Sequence, residues 1–272
     1  MADSRNIDAL ISRAGILENR SLAADTFLMV LDSPEVAGAS GPARFVKVRS
    51  WPESWEGGGP TLDRPLSIHR FQNGRLSLLY RVVGPATGLL SRARPGDEVK
   101  ISGPLGRGLA ENLMTKPEAI YLVGGGIGLA PLAGARDWLG PECRSTVFYG
   151  ERFASAQVDE NWLKSWAGEY LATVEDGNGY GLTGRVTAPL AEALQKDPRP
   201  VFACGPTPML AAVSALCGKA GVPCLVSVEA GMACGFGVCL TCSLPLKEGG
   251  RFRVCQEGPV VDGLKVNWQG VH

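Results

Sequence analysis

Histidine is nearly missing from this chain: His69 and His272 are the only two in 272 residues, and His272 is the last residue. Mechanisms that need several imidazoles as bases or ligands, hydrolase triads and His-rich metal sites among them, have almost nothing to use. Net charge is missing as well. Lys plus Arg number 27 and Asp plus Glu number 27, which leaves no global field for gripping nucleic acid or an anionic membrane. No apolar run reaches the roughly 18 residues a membrane span needs. Asp3, Arg5, Asp8, Arg13 and Glu18 interrupt the first segment, so it does not read as a secretory signal. A soluble, cytoplasmic protein is expected. Hydrophobic residues make up 45% of the chain and charged residues 20%, which excludes a disordered chain and allows two or three modest cores.

Three stretches differ in texture. The first, residues 1–115, holds short β-rich runs, Thr26 to Leu31, Arg44 to Val48, Arg75 to Val83 and Glu98 to Ile101, separated by Gly and Pro turns. It reads as a small antiparallel β-barrel. Residues 116–223 read as a parallel α/β domain: an apolar strand, Ala119 to Val123, enters a glycine loop and a helix, and the pattern returns at Pro200 to Ala203 and Met209 to Lys219. Residues 224–272 begin with one strand, Leu225 to Val228, and continue into a cysteine-rich tail with few apolar residues, which is expected to need a metal to hold its shape. The fold class is therefore α/β plus β, with a small C-terminal metal domain.

The tail carries the most specific chemistry. Cys234, Cys239, Cys242 and Cys255 follow the spacing Cys-x4-Cys-x2-Cys-x12-Cys, whose first three members match the plant-type ferredoxin pattern for a [2Fe-2S] cluster. The fourth spacing departs from that pattern. Gly235 and Gly237 let the loop fold tightly and aim backbone N–H groups at sulfur. A four-thiolate zinc site is the alternative, although only Cys239 and Cys242 form the two-residue knuckle that zinc ribbons repeat.

A second motif runs Gly124-Gly125-Gly126-Ile127-Gly128-Leu129-Ala130-Pro131 between a strand and a helix, offering bare N–H groups and a helix start to a pyrophosphate. Its alternative is a turn that needs positive φ. Glu151 and Arg152 follow the next strand, where a carboxylate reads a ribose hydroxyl and an arginine a 2′-phosphate, so NAD and NADP both stay open. A solvated loop would explain the same two residues. In the barrel segment, Arg64-Pro65-Leu66-Ser67 puts a guanidinium and a hydroxyl on an extended strip, an arrangement that suits a flavin pyrophosphate or merely caps a barrel end.

Taken in order, the Arg-Pro-Leu-Ser strip, the glycine loop, Cys204-Gly205-Pro206 and the four-cysteine tail resemble the ferredoxin-NADP reductase superfamily joined to a terminal [2Fe-2S] domain. More narrowly, Val123 to Leu132, Val174-Glu175-Asp176-Gly177, Cys204 to Leu210, and Met232 to Cys255 resemble the PyrK family, the electron-transfer subunits of NAD-dependent dihydroorotate dehydrogenase. The chain departs from that pattern at Gly231 and at Pro85-Ala86. The resemblance implies FAD on Arg64, Pro65, Leu66 and Ser67, helped by Thr87 or Gly88. It implies NAD on Gly124, Gly125, Gly126 and Gly128, with Cys204 and Gly205 near the nicotinamide, though Cys204 also reads as a small buried hydrophobe. It further implies an FMN-containing catalytic subunit as partner, in a heterotetramer of two of each, with no nucleic acid or membrane involved. Electrons from dihydroorotate would then pass through [2Fe-2S] and FAD to NAD+ in pyrimidine biosynthesis. The alternatives are a reductase subunit for a hydrogenase, sulfite reductase or ferredoxin, or a zinc-stabilised scaffold without redox activity.

Overall fold

A computed structural model describes residues 10–50 and 60–271. His272 lies outside the described residues. Six strands close into an antiparallel barrel: β1 (Leu10–Ser21), β2 (Thr26–Asp32), β3 (Phe45–Arg49), β4 (Arg64–Gln72), β5 (Arg75–Arg81) and β6 (Glu98–Leu105), in the order β1-β2-β5-β4-β3-β6. Alternation fills it. Ala14 and Ile16, Met29 and Leu31, Val46 and Val48, Leu76, Leu78 and Tyr80, and Val99 and Ile101 all share one buried cluster, two residues apart on each strand. Two short helices cover it, α1 (Pro34–Ala39) and α2 (Pro85–Leu90).

Three barrel ladders break the alternation rule, that of β3 with β6 between Phe45 and Lys47 among them. The pairing of β1 with β2 shifts register between Ile16 and Glu18, and that of β4 with β5 shifts between Ile68 and Arg70. Each shift moves the next side chains to the other face and hides the period of two. Pro65 stands second in β4, a position where its missing N–H is tolerated.

The second layer is a seven-stranded sheet. Its parallel members are β7 (Ala119–Gly125), β8 (Arg144–Glu151), β9 (Glu169–Val174), β10 (Leu182–Thr183), β11 (Val201–Cys204) and β12 (Cys224–Ser227). The two-stranded ribbon β13 (Ser243–Pro245) and β14 (Arg251–Arg253) lies in the cysteine tail, and β15 (Val260–Asp262) returns antiparallel to β12. The sheet order is β10-β9-β8-β7-β11-β12-β15. Thus β12 and β15, both within 224–272, belong to the same hydrogen-bonded sheet as the middle domain. α3 (Leu132–Leu139) and α4 (Glu160–Ala167) pack with one core cluster, α5 (Thr187–Lys196) and α6 (Thr207–Ala220) with the other. With both faces covered, β7 is buried from Ile120 to Gly125. The second cluster also takes in Cys242, Leu244, Val254, Cys255 and Val266, so the cysteine module shares a core with the sheet. Among the described residues no helix is long and apolar enough to cross a membrane.

Candidate functional site

Strand order reverses between β7 and β11, which opens a crevice at their carboxyl ends. Gly124 and Gly125 end β7, Gly126 to Leu129 form one 3-10 turn, and Cys204 lies in register with Gly124 on one side and Ser227 on the other. Only Gly126 of these glycines has a left-handed backbone, at φ +55°. The others make room. A Cβ on Gly128 would overlap the Cys204 carbonyl, and one on Gly125 would overlap the Met209 sulfur. Gly205, at φ +156°, continues this close approach. Cys204 is buried, and burial pushes its thiol pKa up, which makes it an inert neutral group in the crevice floor.

Glu151 stands beside the glycine turn, where a Cβ on Gly126 would lie 3.6 Å from its carboxylate, and it is paired rather than free. Its side chain is 4% exposed, one oxygen accepts from Arg81 Nη2 at 2.7 Å, and the other accepts from the Arg152 backbone N–H at 2.9 Å. The carboxylate joins β8 of the sheet to β5 of the barrel. A barrel arginine distant in sequence thus shares the acidic group that the sequence places at the ribose.

Beside this joint lies a cavity of about 250 Å³, lined from the barrel by Arg64, Pro65, Leu66, Ser67, Arg81 and Thr87, and from the glycine turn by Ile127 and Ala130. Ser227 to Ala230 and Met232, the segment that leads straight to Cys234, form part of its wall as well. Sequence-distant motifs are therefore brought to one hollow. Thr87 lines it with a hydroxyl already engaged, accepting from Val83 N–H at 2.9 Å and donating to the Gly84 carbonyl at 3.1 Å. Gly88 is half-buried in α2 and does not line the cavity. Glu229 does line it; its surface is open to the hollow while protein surrounds it, and this burial raises its carboxyl pKa.

The four tail cysteines sit in a loop whose N–H groups point inward. Gly237 N–H donates to Cys255 Sγ at 3.0 Å, Phe236 N–H to Cys234 Sγ at 3.4 Å, and Cys255 N–H to Cys242 Sγ at 3.4 Å. Gly235 and Gly237 have φ of +83° and +78°, which turns the loop that tightly. Cys242 and Cys255 are buried, Cys234 half-buried and Cys239 exposed. A hydrogen bond from the Thr241 hydroxyl, with help from Cys234, lowers the Cys239 thiol pKa to about 6; burial pushes that of Cys255 up to about 12.

Among the described residues, no three His, Cys, Asp or Glu side chains are gathered as the ligands of one metal ion. Four cysteines with backbone N–H donors at three of their sulfurs are the donor set that would hold a [2Fe-2S] cluster.

Four contributors carry no motif: Lys47, Arg81, Ser227 and Glu229. Lys47 was the most legible, as a lone charge among Phe45, Val46 and Val48. Its Nζ donates to the carbonyls of Ala233 at 2.6 Å and Cys234 at 3.2 Å.

Comparison with known proteins agrees with this arrangement. Residues 229–267 match the family model of the iron-sulfur cluster binding domain of dihydroorotate dehydrogenase B. The chain is 34% identical over 263 residues to the dihydroorotate dehydrogenase B (NAD(+)) electron transfer subunit of Desulforamulus reducens, covering 94% of this chain and 98% of that one. It is 37% identical over 225 residues to the subunit of the same name from Clostridium acetobutylicum, covering 83% and 85%. A solved structure of an NADH-dependent reduced ferredoxin-NADP oxidoreductase superposes with a TM-score of 0.80 at 25% identity, covering 94% and 90%. Phthalate dioxygenase reductase shares the fold, with a TM-score of 0.59 at 16% identity over 90% and 94%. The chain belongs to the family of dihydroorotate dehydrogenase B electron transfer subunits.

Proposed function

We propose that this chain is the cytoplasmic electron-transfer subunit of an NAD-dependent dihydroorotate dehydrogenase, carrying electrons from an FMN-containing catalytic subunit to NAD+ by way of a [2Fe-2S] cluster and FAD. The observation that carries this reading is the shared cavity, whose walls are the Arg64 to Ser67 strip, the glycine turn and the segment entering Cys234. FAD, when bound, exchanges hydride with nicotinamide and single electrons with an iron-sulfur centre, which is the conversion such a chain needs.

The residues then have separate tasks. Arg64, Pro65, Leu66 and Ser67 line the cavity and would hold FAD there, the Arg64 guanidinium supplying a cation for its pyrophosphate and the Ser67 hydroxyl a hydrogen-bonding group. Thr87 fixes the start of α2 beside that strip, with Gly88 in the same turn. Backbone at Gly124 to Gly128 and at Cys204-Gly205 walls the NAD crevice, where bulk would block close approach. Cys234, Cys239, Cys242 and Cys255 hold the cluster, and the Gly237 and Phe236 N–H groups stabilise negative charge on sulfur. Phe236, Val238 and Leu240 are exposed around exposed Cys239 and give the partner an apolar landing surface, in an assembly of two chains of each kind. Oxidation of dihydroorotate is left to the partner.

The solved neighbour at 25% identity favours one other partner class, a ferredoxin-linked one. Anaerobic purification followed by metal and flavin analysis tests the cofactors, and co-purification tests the partner. The expected result is yellow-brown protein with FAD, about two irons per chain, and dihydroorotate-dependent NADH formation only with the FMN subunit present. Colourless protein containing zinc contradicts the reading.

A further inference from the structure

Lysine 47 is placed where a structural residue alone would not need to be. It sits on β3 directly opposite Pro65 in the β3–β4 ladder, so its backbone is fastened to the strip proposed to carry flavin. Its side chain leaves the barrel, is 7% exposed, and ends on the carbonyls of Ala233 and Cys234. The stem is enclosed too: a Cβ on Gly235 would stand 2.8 Å from Lys47 Cδ. One side chain therefore spans from the flavin strip to the backbone of the first cluster cysteine. Among the described residues, no salt bridge joins Lys47 to a carboxylate. Its charge is therefore compensated there only by carbonyl dipoles.

Such an arrangement costs free energy, since burying an ammonium against carbonyls alone leaves its charge incompletely satisfied. A buried positive charge does favour neighbouring groups that gain negative charge. Taking up one electron makes a four-thiolate [2Fe-2S] centre more negative by one unit, with no bond to the protein formed or broken. We propose that Lys47 is a positioning residue for electron transfer, holding the cluster loop against the flavin strip and raising the cluster's reduction potential by charge. This rests on the proposed cofactor assignment and goes beyond it, because neither the four ligands nor the flavin strip calls for a cation at this point. A neutral hydrogen-bond donor of similar length would hold the carbonyls equally well, so charge and anchoring can be separated experimentally.

The test uses the full chain, purified anaerobically with its cofactors, in three variants: Lys47→Gln, Lys47→Met and Lys47→Arg. Iron and FAD content of the unaltered chain checks the cofactor assignment by itself. Cluster potential is then read by EPR during titration with dithionite and mediators, with the FAD potential as the internal reference. Lys47→Gln and Lys47→Met are expected to lower the reduced-to-oxidised ratio of the cluster about tenfold at the wild-type midpoint, about 59 mV for one electron, while FAD shifts little. Lys47→Arg is expected to keep the wild-type value. An unchanged cluster potential in iron-replete Lys47→Gln overturns the charge role. If both neutral variants fail to retain iron, Lys47→Arg decides: wild-type iron and potential support the proposal, and loss of iron there as well reduces Lys47 to packing and overturns it.

Discussion

Replacing Arg81 with Met tests the joint between barrel and sheet. The guanidinium donates to Glu151 at 2.7 Å and lies 3.3 Å from Asp25, and its side chain is 19% exposed against 4% for Glu151. Arg81→Met keeps most of the stem and removes the charge. Glu151 would then be a buried carboxylate left with the Arg152 N–H as its remaining hydrogen bond of ordinary length. Breaking a buried pair on one side costs about 3–5 kcal/mol; the partial exposure of Arg81 places this case at the lower end, about 3 kcal/mol. Urea unfolding followed by tryptophan fluorescence reads the loss, because Trp162 and Trp166 stand on α4 in the core cluster that includes barrel residues Leu28 and Leu79. Adding Glu151→Gln to Arg81→Met removes the stranded charge and should recover more than half of the loss. If pairing with Arg81 is all the carboxylate does, Glu151→Gln by itself leaves both the KM for NADH and the preference for NADH over NADPH unchanged, and a raised KM for NADH assigns it to the ribose as well. A loss below about 1 kcal/mol in Arg81→Met, or a double variant no better than the single one, would refute the argument.

Other consequences follow from the same packing. His69 is buried, donates from Nδ1 to the Ala130 carbonyl at 2.8 Å and stacks on Trp162; burial lowers its pKa from 6.5 to about 4. Because the unfolded chain takes the proton first, this stability is complete above pH 6.5 and lost as pH falls to about 4. The loss amounts to about 3 kcal/mol and is readable as a falling urea midpoint that His69→Gln flattens. Gly128→Ala forces a methyl onto the Cys204 carbonyl and should cost about 1–3 kcal/mol and raise the KM for NADH; an unchanged melting curve would show that the turn has slack. Cys239→Ser should abolish the cluster's visible bands while FAD stays bound, and full coupled activity in that variant would exclude Cys239 as a ligand.

Local signals made the parts legible and left the joints hidden. The β-rich runs Thr26 to Leu31 and Arg75 to Tyr80, the continuous apolar run before the glycine turn, and the cysteine spacing each carry their signal within one short window. β1 and β4 do not, since a register shift in each interrupts the alternation. Strand β15 is three residues long and joins the sheet only through β12, a pairing fixed by tertiary packing. Glu151 shows the limit for side chains. Its place after a strand suited a ribose contact, and nothing near it in sequence announces that Arg81, seventy positions earlier, occupies it. Lys47 reaches Ala233 across a long separation, and Glu229 meets the barrel strip only as a wall of the same cavity, so both became visible only once the barrel and the tail were folded together.

Reduction of the oxygen-free, full-length chain by NADH, followed by optical and EPR spectroscopy, tests the central claim most directly. Bleaching of FAD together with the signal of a reduced [2Fe-2S] cluster in the same sample is the predicted result. An iron-free chain, or a cluster that stays oxidised while flavin is fully reduced and the FMN subunit is present, would contradict it.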